Sequence, residues 1–198
     1  MDRAGLRRKL LKAQAEAGDI MLLFGDESEA LTNPYLAHAW AKRGADLRVP
    51  APGQAAKVAM LGVLDWARRD LVVRTSRTKR SSDVIALLEE LDLRWGPRPG
   101  EVARPVVLVF DNGGPIHTSK ATRAALAERA HWLTVEWLPK YAPELNDIEP
   151  TWRDLKRHHL AHQTFAGPED LDCAIHDAVA KLNAERSRAP LASQRIAA

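Results

Sequence analysis

"VVLVFDNGG", Val106 to Gly114, decides the reading of this chain. Five consecutive apolar residues, three of them valine, are too few for a helix and suit a strand buried on both faces. Asp111, Asn112 and two glycines then supply the residues of a strand-ending turn. A strand of this kind belongs in the middle of a sheet covered by helices. "IMLLFGDES", Ile20 to Ser28, has the same form. Its apolar run, Ile20 to Gly25, predicts a second buried strand with Asp26 just past its end.

The rest of the chain falls into place around these two runs. Residues 4–17 predict an amphipathic helix with Leu6, Leu10 and Leu11 on one face and Arg7, Arg8 and Lys12 elsewhere, closed by Gly18. "VAMLGVL" (Val58–Leu64) and "LVVRT" (Leu71–Thr75) predict two strands joined by the hairpin connection "DWARRD". Val84, Leu87, Leu88 and Leu91 have helical spacing behind a Ser or Asp cap. Thr118 or Ser119 can cap an alanine-rich helix reaching about Ala130. "LTVEWL" (Leu133–Leu138) predicts a fifth strand. Two helices follow, from about Glu149 to His162 and from about Pro168 to Arg186. The second carries Leu171, Ala174, Ile175, Ala178, Val179 and Leu182 on one stripe.

Three sequential strands make an antiparallel meander, and the later strand–helix alternation demands parallel crossovers. The predicted fold is α/β: a mixed five-stranded sheet, three antiparallel strands then two parallel, with helices on both faces. Residues 20–198 form one domain, preceded by an N-terminal helix over 1–19 that resembles the remnant of a linker. Arg94–Pro105 reads as a surface loop.

With 198 residues and 45% hydrophobic content, the chain is long enough for one ordinary core. A net charge of +3 neither demands nor excludes nucleic acid. The single cysteine, Cys173, rules out an internal disulfide framework and reads as a small hydrophobe near a buried stripe. The basic N-terminus lacks a signal-peptide core, and no apolar run approaches the roughly 20 residues of a membrane span. These features fit a cytoplasmic protein with no membrane partner.

If the strands ending at Asp26 and Asp111 are neighbours, two carboxylates meet at one sheet edge. Such a pair repels unless a cation lies between them. A hard divalent ion with oxygen ligands, such as magnesium, suits the site. "YAPELNDIEPTW", Tyr141 to Trp152, adds Glu144, Asp147 and Glu149 just where a helix opens. Pro150 suits the first helical position, which makes Glu149 the cap residue. Asp147 and Glu149 both remain candidates, with Glu149 favoured because a helix start can aim its longer side chain back at the sheet edge.

"GDES", "VFDNGGPIH" and "YAPELNDIEPTW" together resemble the signature segments of DDE-type transposases, in the bacterial insertion-sequence branch of the Tc/mariner superfamily. "HAWAKRGADLRVPAPGQAAKVAMLG" resembles the family's segment after the first Asp. The resemblance runs from about Leu22 to His162. It implies an RNase H-like fold and a metal-binding, catalytic triad of Asp26, Asp111 and Glu149, with 37 residues between the last two. It also implies Mg2+ or Mn2+, two ions, and cleavage and strand transfer of DNA by a homo-oligomer in a bacterial cytoplasm. Asn112, His117, Asn146 and Trp152 then support the triad, and the charge of Asp147, where the family usually has Pro, is incidental.

The sequence departs from the pattern in two ways. His117 stands six residues after Asp111 rather than five, and the family's helix-turn-helix DNA-binding region has no counterpart before Asp26. That region is expected on another chain, or the sequence is a truncated, non-autonomous copy. Another RNase H-like nuclease is the alternative enzyme.

Arg74, Arg77, Lys79 and Arg80 form one basic cluster and Lys156 and Arg157 a second; both suit DNA phosphates. Trp40, Trp66, Trp132, Trp137 and Trp152 read as core or edge packing.

Overall fold

The computed structural model describes residues 3–188 apart from 39, 52, 101–103, 112–113 and 140–141. Helix α1 (Arg3–Ala17) leads into β1 (Met21–Leu31), β2 (Lys57–Asp65) and β3 (Asp70–Ser76). Then come α2 (Ser81–Trp95), β4 (Val106–Phe110), the short α3 (Pro115–Thr118), α4 (Lys120–Glu128) and β5 (Leu133–Trp137). A 3-10 turn (Pro143–Leu145) precedes α5 (Glu149–Asp154), which runs on as a π-turn over Leu155–His159; α6 (Pro168–Ser187) closes the chain.

The strands lie in the order β3-β2-β1-β4-β5. β1–β2 and β2–β3 are antiparallel, and β1–β4 and β4–β5 are parallel. This is the mixed sheet the sequence predicts. Side chains alternate across it, so each face has its own core. Leu22, Phe24, Met60, Val107 and Val109 meet α1, α5 and α6 on one face. Leu23, Leu61, Val63, Leu108 and Phe110 meet α2 and α4 on the other. No helix among the described residues is long and apolar enough to cross a membrane.

β1 is longer than the sequence predicts. Its parallel pairing with β4 stops at Gly25↔Phe110, but its antiparallel pairing with β2 continues to Leu31↔Lys57. Asp26 is therefore a mid-strand residue, standing where the sheet loses its β4 neighbour. The α5 segment is shorter than expected because the i→i+4 ladder widens to a π-turn at Leu155. Glu149 is the first helical residue and Ile148 the cap, so the helix starts one position earlier than the proline rule suggested. Ser119 caps α4, accepting from Thr122 N at 3.0 Å.

Helix α1 turns a different face inward. Leu11 and Ala15 are buried, whereas Leu6 and Leu10 are half exposed. Arg8 and Lys12 flank the buried pair at helical spacing, so they face the molecule. Cys173 is exposed, one step off the buried stripe of α6. Trp132 and Trp152 are buried as expected, but Trp40 is fully exposed.

Candidate active site at the open edge between β1 and β4

Three carboxylate positions approach this edge. Gly25 and Phe110 are the last partners of the β1–β4 ladder, so Asp26 and Asp111 are the next residue on adjacent parallel strands. Pleating turns Asp26 towards the face of Phe24, away from that of Leu23 and Gly25. Glu149 comes from the start of α5 on that same face, close enough that its charge acts on Asp26.

The Asp26 carboxyl is strongly perturbed. Burial, reinforced by the charges of Glu149 and Glu27, pushes it up to about 7. The backbone N–H of Glu27 and the Trp152 indole oppose the rise. Trp152 Nε1 donates to Asp26 Oδ2 at 3.2 Å. The indole reaches that oxygen by lying over Gly62, the residue opposite Asp26 on β2. A Cβ at position 62 would stand 2.4 Å from Trp152 Cη2, so only glycine leaves the room.

Glu149 is held through the turn before it. Asn146, itself buried, donates from Nδ2 to Gly25 O at 3.1 Å, which ties the turn to the strand beside Asp26. Asn146 O in turn accepts Glu149 N at 3.2 Å. Ile148 and Trp152 are packed into the core on either side of Glu149.

On the opposite face, His117 Nδ1 lies 3.0 Å from Asp111 O and Nε2 lies 2.6 Å from Glu27 Oε1. Among the described residues neither of those last two buried atoms has another polar partner, and their own alignment departs from hydrogen-bond geometry. His117 also packs on Phe110, ring centroids 4.2 Å apart. The extra residue between Asp111 and His117 thus leaves the imidazole against Asp111. Asn112 lies outside the described residues.

The expected convergence on one cation is incomplete. Among the described residues no group of three His, Cys, Asp or Glu side chains is close enough to hold a metal. Asp26 is turned to Trp152, and mutual repulsion of unneutralised carboxylates spreads such a group. The donor set nonetheless fits a hard divalent ion: all oxygen, with one carboxyl buried beside the charge of another. Asp147 behaves differently from the expectation that its charge is incidental. It pairs with Arg8 at 3.4 Å and, more closely, with Lys12.

The basic candidates divide. Arg74 faces Glu90 at 3.9 Å and Arg77 is paired with Glu169, so both are engaged by carboxylates outside the three candidates. Lys79 lies 3.6 Å from Glu29 at the open edge, and Arg80 and Arg157 are exposed with no ion pair among the described residues. Lys156 is half-buried beside the site. Desolvation pushes its pKa down while Glu29, Glu149 and Asp26 oppose the shift. Glu27 and Gly62 were not anticipated. A glycine inside the apolar run "VAMLGVL" was the available signal for Gly62, because glycine in a strand marks a close approach.

A family model described as DDE superfamily endonuclease matches residues 21–172. The insertion element IS630 uncharacterized 39 kDa protein of Shigella sonnei is 28% identical over 134 residues, covering 68% of this chain and 37% of that protein. A pre-cleavage Mos1 transpososome superposes with a TM-score of 0.60 and 18% identity, covering 96% of this chain and 60% of the other. The catalytic core of HTLV-2 integrase in complex with magnesium gives 0.50 and 15%, covering 80% and 83%. These structural likenesses are of fold. The chain spans little over a third of the IS630 protein and about three fifths of the Mos1 chain.

Proposed function

The chain belongs to the DDE superfamily of endonucleases, and on that premise we propose that it is the catalytic domain of an insertion-sequence transposase, cleaving DNA strands and joining them to a target. The observation that carries this reading is the placement of Asp26 and Asp111 on adjacent strands where their ladder ends, with Glu149 entering above Asp26.

Asp26, Asp111 and Glu149 would hold Mg2+ or Mn2+, two ions in this reading. The ions supply activation of the attacking oxygen and stabilisation of the leaving oxygen in an in-line displacement. The chain's own groups orient and neutralise. Trp152 fixes one oxygen of Asp26. Asn146 keeps the Glu149 turn against β1. His117 and Glu27 support Asp111 and the middle of β1 from the opposite face. Lys156, Lys79 and Arg80 stand where a DNA phosphate would approach; Arg157 extends that surface, and Arg74 and Arg77 serve more distant backbone. No side chain need form a covalent intermediate. The nucleophile is water in the cleavage step and a DNA 3′-hydroxyl in the joining step.

By analogy with the paired-end assemblies of the Mos1 structures, the active species is an oligomer on DNA. Recognition of the element's ends is supplied by a helix-turn-helix region elsewhere. DNA binding by this chain alone is then weak, salt-sensitive and indifferent to sequence, because phosphate contacts carry little sequence information.

The test is incubation with supercoiled plasmid and with labelled pre-cut ends, in Mg2+ or Mn2+. Nicked circles and covalently joined ends are expected. Nicking without joining at any metal concentration would favour a simple nuclease, and tight binding to one duplex sequence would overturn the division of labour.

A further inference from the structure

The turn that carries Glu149 is gripped from outside by a helix that the family match does not include. That match begins at residue 21, whereas α1 spans Arg3–Ala17. Arg8 Nη1 donates to Glu144 O at 2.9 Å and lies 3.4 Å from Asp147 Oδ1. Lys12 Nζ is paired with Asp147 Oδ2 and also sits 5.2 Å from the centroid of the Trp66 ring. Asp147 Oδ2 is buried, and that ion pair is its only polar contact among the described residues. All three side chains are largely covered, at 29%, 24% and 20% exposure for Arg8, Lys12 and Asp147.

We propose that Asp147 is a positioning residue: latched to α1 by Arg8 and Lys12, it sets where Glu149 stands over β1. The reasoning is geometric. Between Asp147 and Glu149 lies only Ile148, which is fully buried. On the inner side the turn has, among the described residues, one polar tether, Asn146 to Gly25 O. One tether fixes a point and leaves a rotation; the latch to α1, on the other side, removes it. A proline at position 147 would restrict the turn through its own ring. Here an aspartate does so through two cations from another element. Activity of the core therefore depends on α1, although α1 contributes nothing to the metal site itself. Groups that orient metal ligands from outside typically change metal affinity about 10- to 100-fold when lost.

The inference rests on Glu149 being a metal ligand, and the test separates the two claims. Mn2+ binding to the full chain is measured by calorimetry, and thermal melting is recorded in chelator, for Lys12→Gln, Asp147→Asn, the double variant, Lys12→Arg and Glu149→Gln. Lys12→Gln and Asp147→Asn should each weaken Mn2+ binding about tenfold. The double variant should be no worse than the worse single, and Lys12→Arg should restore the wild-type value. Unchanged Mn2+ binding in both singles, or losses that multiply in the double, would reduce the contact to a structural ion pair. If Asp147→Asn does not fold, Lys12→Gln against Lys12→Arg decides alone. If Glu149→Gln itself leaves Mn2+ binding unchanged, the ligand assignment fails and the latch with it. If Glu149→Gln weakens binding and the latch variants do not, only the latch falls.

Discussion

Asp26 and Glu149 reach the same site by different physics. Asp26 is part of a strand whose backbone is paired with β2 on both sides of it, Gly25↔Val63 and Glu27↔Leu61. Its position is a property of the ladder, shared among many hydrogen bonds. Glu149 opens a six-residue helix after an irregular turn, and side chains hold that turn: Asn146 on Gly25, Trp152 over Gly62, Asp147 on α1. The strand-borne carboxylate is robust to remote change, and the turn-borne one is exposed to it. Remote substitutions should therefore act on Glu149 far more than on Asp26.

The widest effect comes from the carboxylates themselves, where the two regions should behave alike. Asp26→Asn, Asp111→Asn and Glu149→Gln should each abolish metal-dependent plasmid nicking while leaving circular dichroism unchanged. Retained nicking by any of them would reassign the site. Next comes the contact that joins the two regions. Gly62→Ala puts a methyl into Trp152, and overpacking of this kind costs about 1–3 kcal/mol. Melting should fall by several degrees and nicking by about tenfold, since the indole leaves Asp26. An active, equally stable Gly62→Ala would show that Trp152 is not needed over β2.

A smaller effect tests the turn alone. Asn146→Ala leaves Gly25 O without its buried donor, a loss of about 1–3 kcal/mol. Its metal requirement should rise, whereas removing Cys173, which is exposed on α6, should do nothing. An equal effect of both would erase the distinction between the regions.

The last effect is on the pH dependence of stability and leaves the metal-loaded enzyme aside. With metal chelated, Asp26 keeps its proton to about pH 7 in the folded chain, while the unfolded chain releases it near 4. The folded state then binds more protons between these values, so stability falls as pH rises from about 4 to 7 and levels off above. Asp26→Asn should remove that slope and melt higher than wild type at pH 7.5. A wild type whose melting temperature rises over this interval by more than the variant's would place the Asp26 carboxyl in a wetter setting.

The two sheet-edge aspartates were legible because strand identity is local: five or six apolar residues followed by Asp, twice, in "IMLLFGD" and "VVLVFD". Glu149 was legible as a helix start and, through "YAPELNDIEPTW", by resemblance. Asp147 was not, because its partners Arg8 and Lys12 look like the solvated side of a short helix. Periodicity marks which residues of α1 share a face but not which face finds the protein; Leu6 and Leu10 beside Leu11 pointed the wrong way.

By itself the sequence determined the elements, the mixed sheet and the two carboxylate-bearing strands, because hydrophobic period and turn chemistry act over a few residues. Tertiary structure alone decided how far β1 continues past β4, since that depends on β2 completing its ladder. It also decided that Trp152 reaches Asp26 from 126 residues away across a glycine, and that Asp147 meets Arg8 from 139 away. Contacts at such separations leave no period in a sequence. They arise only when two locally determined surfaces are packed against each other and each buried polar atom must find a partner.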